Sequence, residues 1–125
     1  SDADTDYMRG TASYYGGDDD FNGKQMANGN IFAANNPNMA AHPILPLGTK
    51  LKVTDLTTHR TIYVEVTDRM PQNGRVIDLS RSGALALGMH KRGTDPVQLT
   101  EIDNREFKAK KNTVEVDDDD DGIAN

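Results

Sequence analysis

The sequence predicts a mainly β domain: a small barrel with one short helix. Two segments, 50–56 and 61–67, alternate polar and apolar residues, and Ile62, Val64 and Val66 fall on one face. Period-two alternation with β-branched residues marks half-buried strands. A third stretch, 97–102, alternates in the same way. Strands of this kind, joined by long irregular crossings, suit a closed barrel that leaves no free sheet edge.

The remaining elements follow in order. Residues 11–15 read as a first strand, broken by the Gly16-Gly17-Asp18-Asp19-Asp20 run. Residues 22–48 are rich in Asn, Gly, Ala and Pro, which excludes a long helix and suggests backbone packed closely or lining a groove. Residues 57–60 have hairpin length but no Asn-Gly signal. Residues 76–79 form a short strand. Ser80 then caps a helix through Ala84 and Leu87, and Gly88 stops it. Residues 1–9 read as a flexible leader, 10–104 as the barrel, and 105–125 as an acidic, disordered tail.

The chain has 125 residues, fitting one domain, with 35% hydrophobic content and no Cys. A disulfide framework and a Cys-based zinc site are therefore excluded. No apolar run approaches the length of a membrane span. The formal net charge is -6. Eight acids lie at the ends: Asp2, Asp4 and Asp6, and the run from Asp117 to Asp121. Without them the body is close to neutral. It has no Lys/Arg cluster, so it lacks the footprint of a nucleic-acid binder.

Asp68 follows an alternating strand, beside Arg69 and a Pro-bearing loop. A carboxylate there either faces a cleft or caps a turn. Arg69 would lower its pKa or hold a substrate oxygen. Asp78, flanked by Ile77 and Leu79, either bonds backbone at the helix start or supplies a second carboxylate near Asp68. His42, among small residues, bridges backbone or orients a carboxylate or sugar hydroxyl. His59 and His90 read as surface. Tyr14 and Tyr15 alternate across the first strand: either one packs inward and the other offers a platform for a sugar ring, or core packing accounts for both. Asp117, Asp119 and Asp121 before Gly122 resemble the start of a Ca²⁺ loop, but the chain ends before its bidentate Glu. A solvated acidic tail is the simpler reading, and no cofactor is expected.

Taken together these motifs resemble the rare lipoprotein A family of bacterial envelope proteins. The resemblance runs from about Thr11 to Ile102. It is carried by Ala12-Ser13-Tyr14-Tyr15-Gly16, Ala27-Asn28-Gly29, Ala40-Ala41-His42, Leu45-Pro46-Leu47-Gly48-Thr49, Asp68-Arg69 with Pro71, Arg75-Val76-Ile77-Asp78-Leu79-Ser80 and Leu87-Gly88-Met89. It implies a six-stranded double-psi β-barrel, similar to expansins and to a class of lytic transglycosylases, with a groove across one face. It implies lytic cleavage of peptidoglycan glycan strands, giving 1,6-anhydro ends, in the periplasm or outside the cell, with septal regions the usual place and an outer-membrane anchor before processing. The family's catalytic Asp falls on Asp68 and its active-site His on His42. Asp78 matches an expansin Asp. Tyr14, Tyr15, Asn28, Asn30, Arg69 and Ser80 are the candidate substrate contacts.

Two positions depart from the family pattern. Asn30 stands where Glu is usual, and Asn carries no proton. Met70 stands where Gly is usual, which would crowd the groove. Both favour a glycan-binding module of the expansin kind over an enzyme; Asp68 and His42 favour the enzyme. A structural component built on the same barrel is a third reading.

Overall fold

The computed structural model describes residues 8–16 and 21–116. Leader residues 1–7 and the candidate Ca²⁺ ligands Asp117, Asp119 and Asp121 lie outside the described residues. The strands are β1 (Arg9–Tyr15), β2 (Met39–His42), β3 (Lys50–Asp55), β4 (Arg60–Arg69), β5 (Arg75–Ser80), β6 (Asp95–Ile102) and β7 (Glu115–Val116). The helices are α1 (Arg81–Leu87) and α2 (Asn104–Lys110).

Six strands close on themselves in the order β2-β5-β1-β6-β3-β4, with β4 pairing back to β2. β1–β5 and β2–β4 are parallel. The other barrel contacts, β1–β6, β2–β5, β3–β4 and β3–β6, are antiparallel. The chain is a double-psi β-barrel. Its alternation puts Leu51, Val53, Ile62, Val64, Val66, Ile77, Leu79, Val97 and Leu99 inside, with Ala12 and Ala40, all at most 2% exposed. Each large side chain so buried contributes about 1.5–3 kcal/mol. Ala84 and Leu87 of α1, with Met89, pack against the same core.

β2 was hidden in the Asn/Gly/Ala stretch. Four residues without alternating polarity carry no period-two signal. The C-terminal expectation also needs correction. A tail was expected from residue 105, but α2 and β7 lie within it. Asp103 caps α2 through Glu106 N, and Phe107 buries the helix's apolar side. β7 pairs with Arg60 and Thr61, on the part of β4 that β2 does not reach.

The far end of the barrel holds a buried acid pair. Asp55 is 0% exposed. Its Oδ1 accepts the Thr57 and Thr58 N–H groups at 2.7 and 2.9 Å. Its Oδ2 is buried without an N–H donor and meets Asp95. Two ionised carboxylates repel one another, so the pair favours a proton on Asp55 at acid pH. Burial, then the Asp95 contact, push the Asp55 carboxyl up to about 6 from 3.8. Arg92 holds Asp95 below its ordinary value, at 2.7 Å from Nε and 2.6 Å from Nη2. The folded state therefore binds extra protons at Asp55 between about pH 4 and 6, and stability falls as pH rises through that window. Asp95 acts oppositely, below its ordinary 3.8. Asp55→Asn mimics the protonated form. Thermal unfolding of both proteins from pH 4 to 7 should show the wild type losing Tm relative to Asp55→Asn. A constant difference would contradict the shared proton.

Candidate active site

The site is organised by an irregularity in the β2–β4 pairing. Ala40 lies opposite Val66, but Ala41 lies opposite Asp68, so Thr67 is an extra residue on β4. Counting from Ile62, Val64 and Val66, strict alternation would turn Asp68 into the core. The bulge instead puts Asp68 on the outer face with Ala41. Left out of the ladder, the Thr67 carbonyl accepts the N–H of Asn28 at 3.1 Å.

Asn28 belongs to a strap folded over this outer face. Gly23 N–H donates to Phe32 O, Phe32 N–H to Lys24 O, and Met26 N–H to Asn30 O, at 2.7–2.9 Å. The tip of the strap grips Asp68: Ala27 N–H donates to Oδ1 at 2.9 Å. Arg69 N–H donates to the same oxygen at 2.9 Å. The other oxygen, Oδ2, receives the Tyr15 hydroxyl at 3.4 Å.

Beneath the strap Tyr15, Met26, Phe32, Ala41 and Met70 form a second apolar cluster. Tyr15 stacks on Phe32 at 4.2 Å between centroids and meets Phe21 edge-on at 5.5 Å. Gly16 makes the stack possible. Its φ is +92°, and a Cβ there would lie 2.6 Å from the Phe32 ring. Tyr15, Phe21, Phe32, Lys24, Gln25, Asp68 and Arg69 line an open cavity of about 380 Å³.

The sequence-derived candidates separate into groups. Asp68, Tyr15 and Arg69 come together at this cavity. The Arg69 guanidinium, however, donates to the carbonyls of Leu45 (2.7 Å) and His42 (3.3 Å). His42 is fully buried, and its Nδ1 accepts the Ile44 and Leu45 N–H groups at 3.1 and 3.0 Å. His42 and Arg69 thus hold the same 42–45 turn. Asp78 shares the outer face, since Ala41 lies between it and Asp68 in register. Two strand spacings, about 9.5 Å, separate their backbones. Asp78 accepts a hydrogen bond from Ser13 Oγ, not from the helix start.

Others fall elsewhere. Tyr14 packs against the barrel core and donates to His90 O at 2.9 Å. His59 is exposed, whereas His90, expected at the surface, is half-buried. Asn28 and Asn30 line a different cavity, on the other side of the strap tip. Ser80 is 0% exposed; its hydroxyl donates to Asn36 O at 2.7 Å and accepts from Gly83 N–H at 3.0 Å, so it is the helix cap and not a surface contact. Met70 is 9% exposed and packs in the second cluster. Phe21, Phe32, Lys24 and Gln25 were missed. The available signal was two aromatic residues, Phe21 and Phe32, in a segment made largely of small and polar ones.

The molecule is a six-stranded double-psi barrel with a carboxylate set in an aromatic-lined outer cavity. Residues 7–99 match the lytic transglycolase family, and the chain belongs to it. It is 45% identical over 91 residues to a probable endolytic peptidoglycan transglycosylase RlpA of Synechocystis, covering 72% of this chain and 27% of that protein. It is 45% identical over 94 residues to the endolytic peptidoglycan transglycosylase RlpA of Campylobacter jejuni, covering 74% and 33%. The chain thus spans a third or less of these two relatives. Among solved structures, a Streptomyces papain inhibitor superposes with a TM-score of 0.55 at 26% identity, covering 74% of this chain and 93% of that one. An expansin from Clavibacter michiganensis in complex with cellohexaose gives 0.59 at 21%, covering 78% and 50%, a likeness of fold alone.

The geometry separates the cap from the cavity. Ser80→Ala should cost about 1–2 kcal/mol in denaturant unfolding, the usual loss for an N-cap hydroxyl. Denaturant unfolding equal to wild type would contradict the cap role.

Proposed function

We propose that this chain is a peptidoglycan lytic transglycosylase domain, working in the cell envelope outside the cytoplasm, with Asp68 as its acid and base. The observation that carries this is the division of labour within one carboxyl group. Oδ1 is occupied by two backbone N–H donors, and Oδ2 meets the Tyr15 hydroxyl at the cavity. Oδ2 is the oxygen able to carry a mobile proton. The names of the RlpA relatives support peptidoglycan as the substrate.

In the proposed reaction Asp68 gives its proton to the glycosidic oxygen as the bond to C1 breaks. The C6 hydroxyl oxygen of the same sugar then bonds to C1, and its proton passes to Asp68. Proton count and charge are restored, and no water is consumed. A second carboxylate is not required, unlike in ordinary glycoside hydrolysis. Phe21, exposed at the cavity, supplies a ring for the sugar's apolar surface, and the nearly buried Tyr15–Phe32 stack braces it. His42 and Arg69 act as positioning residues through the 42–45 turn. Among the cavity-lining residues Asp68 is the one carboxylate, and Asn30 lies elsewhere. That observation favours, as a second reading, a module that grips glycan without cutting it.

Asp68→Asn keeps the shape and both Oδ1 contacts while removing the acid. With peptide-free glycan strands it should form at least about 100-fold fewer 1,6-anhydro ends than wild type, as for a lost general acid. Glycan binding should persist. Equal product from both proteins would remove Asp68 from the mechanism. No product from either, with binding retained, would support the binding module.

A further inference from the structure

Three Asn-Gly pairs stand in the chain: Asn22-Gly23, Asn28-Gly29 and Asn73-Gly74. Such a pair can lose ammonia without an enzyme. The glycine N–H gives up its proton, its nitrogen bonds to the asparagine Cγ, and Nδ2 leaves as ammonia. One water then opens the five-membered imide and leaves aspartate or isoaspartate. Glycine has no side chain to hinder the attack. The reaction needs two freedoms: an available glycine N–H, and a carboxamide able to turn its Cγ toward that nitrogen.

The three pairs are matched in backbone shape. Gly23, Gly29 and Gly74 have φ of +88°, +93° and +94°. A Cβ on any of them would meet nothing within 4 Å. Hydrogen bonding is what distinguishes them. In the strap, Gly23 N–H donates to Phe32 O and Gly29 N–H to Met26 O, both at 2.9 Å. The carboxamides beside them are held too. Asn22 Oδ1 accepts the Ala34 N–H at 2.8 Å, and Asn28 Oδ1 accepts the Asn30 N–H at 2.9 Å. Each strap pair thus has both reacting groups tied. The third pair lies in the loop between β4 and β5, where residues 71–75 are all exposed. The Gly74 N–H has no acceptor among the described residues. Asn73 Oδ1 accepts the Arg75 N–H at 3.3 Å, the longest of the three carboxamide bonds.

We propose that Asn73 is a site of spontaneous deamidation, and that the folded strap protects Asn22 and Asn28 from the same reaction. The product carries one more negative charge in the loop that follows Asp68, Arg69 and Met70. Its isoaspartyl form also adds one carbon to the backbone just before β5, where Arg75 faces Thr11. Reaction at either strap pair requires local opening of the strap. Deamidation at Asn28 therefore reports release of the loop that grips Asp68, whereas deamidation at Asn73 requires no opening.

The test is incubation of the whole chain in mildly alkaline buffer, native and in unfolding urea, followed by peptide mass spectrometry that separates aspartyl from isoaspartyl products. In the native protein Asn73 should convert at least about tenfold faster than Asn22 or Asn28, the effect of the bonds that must first open in the strap. In urea the three rates should converge. Asn73→Gln should remove the acidic form that the native wild type accumulates on anion exchange. Native conversion at Asn22 or Asn28 as fast as at Asn73 would overturn the proposal. So would a preference for Asn73 that persists unchanged in urea, or an acidic form that survives in Asn73→Gln.

Discussion

One extra residue in β4 determines what this barrel presents on its outer face. Thr67 breaks the alternation that would otherwise send Asp68 into the core. A carboxylate inside that apolar interior would be costly unless neutralised or paired. Outside, it finds two backbone donors and a hydroxyl. The same irregularity frees the Thr67 carbonyl, and the strap docks there through Asn28. The register shift therefore aims the acid and also anchors the loop that holds it.

The strap adds little regular structure, so its position depends on packing. Tyr15, Met26, Phe32, Ala41 and Met70 form a core of their own outside the barrel. Ala41 keeps this layer thin above β2, and Gly16 admits the Phe32 ring. Met70, where a glycine would leave the groove open, closes the underside of this cluster. The aromatic rings thus both support the strap and line the cavity beside Asp68. On the opposite side of the strap tip, the C-terminal segment builds a second wall against β4. The outer face so acquires two cavities of different character, one aromatic and one rich in carboxamides.

Much of this was legible in the sequence, for physical reasons that differ by element. β3, β4 and β6 alternate clearly, because one face of each lies in the barrel interior. α1 was legible from its ends, Ser80 and Gly88, whose cap roles follow local rules. β2 was not, since Met39–His42 is short and lacks alternating polarity. α2 was masked by its charged composition, and its attachment depends on Phe107 and a long-range pairing of β7 with β4. At the site, Asp68, Tyr15 and Arg69 were legible. The register shift was not, because a bulge is a property of two strands and appears in neither alone. For the same reason the sequence could not show that Asp78 is bonded by Ser13 on the neighbouring strand.

The outward placement of Asp68 can be measured directly, because the chain contains no Cys. Single Cys variants at Asp68 and Val66 differ by two positions on one strand. Strict alternation would put both inside. The bulge puts Val66 inside and Asp68 out. Under native conditions a maleimide reagent should label Asp68→Cys rapidly, label Val66→Cys only on unfolding, and label Asp68→Cys more slowly when peptide-free glycan is present. Equal protection of the two thiols in the native protein would contradict the account.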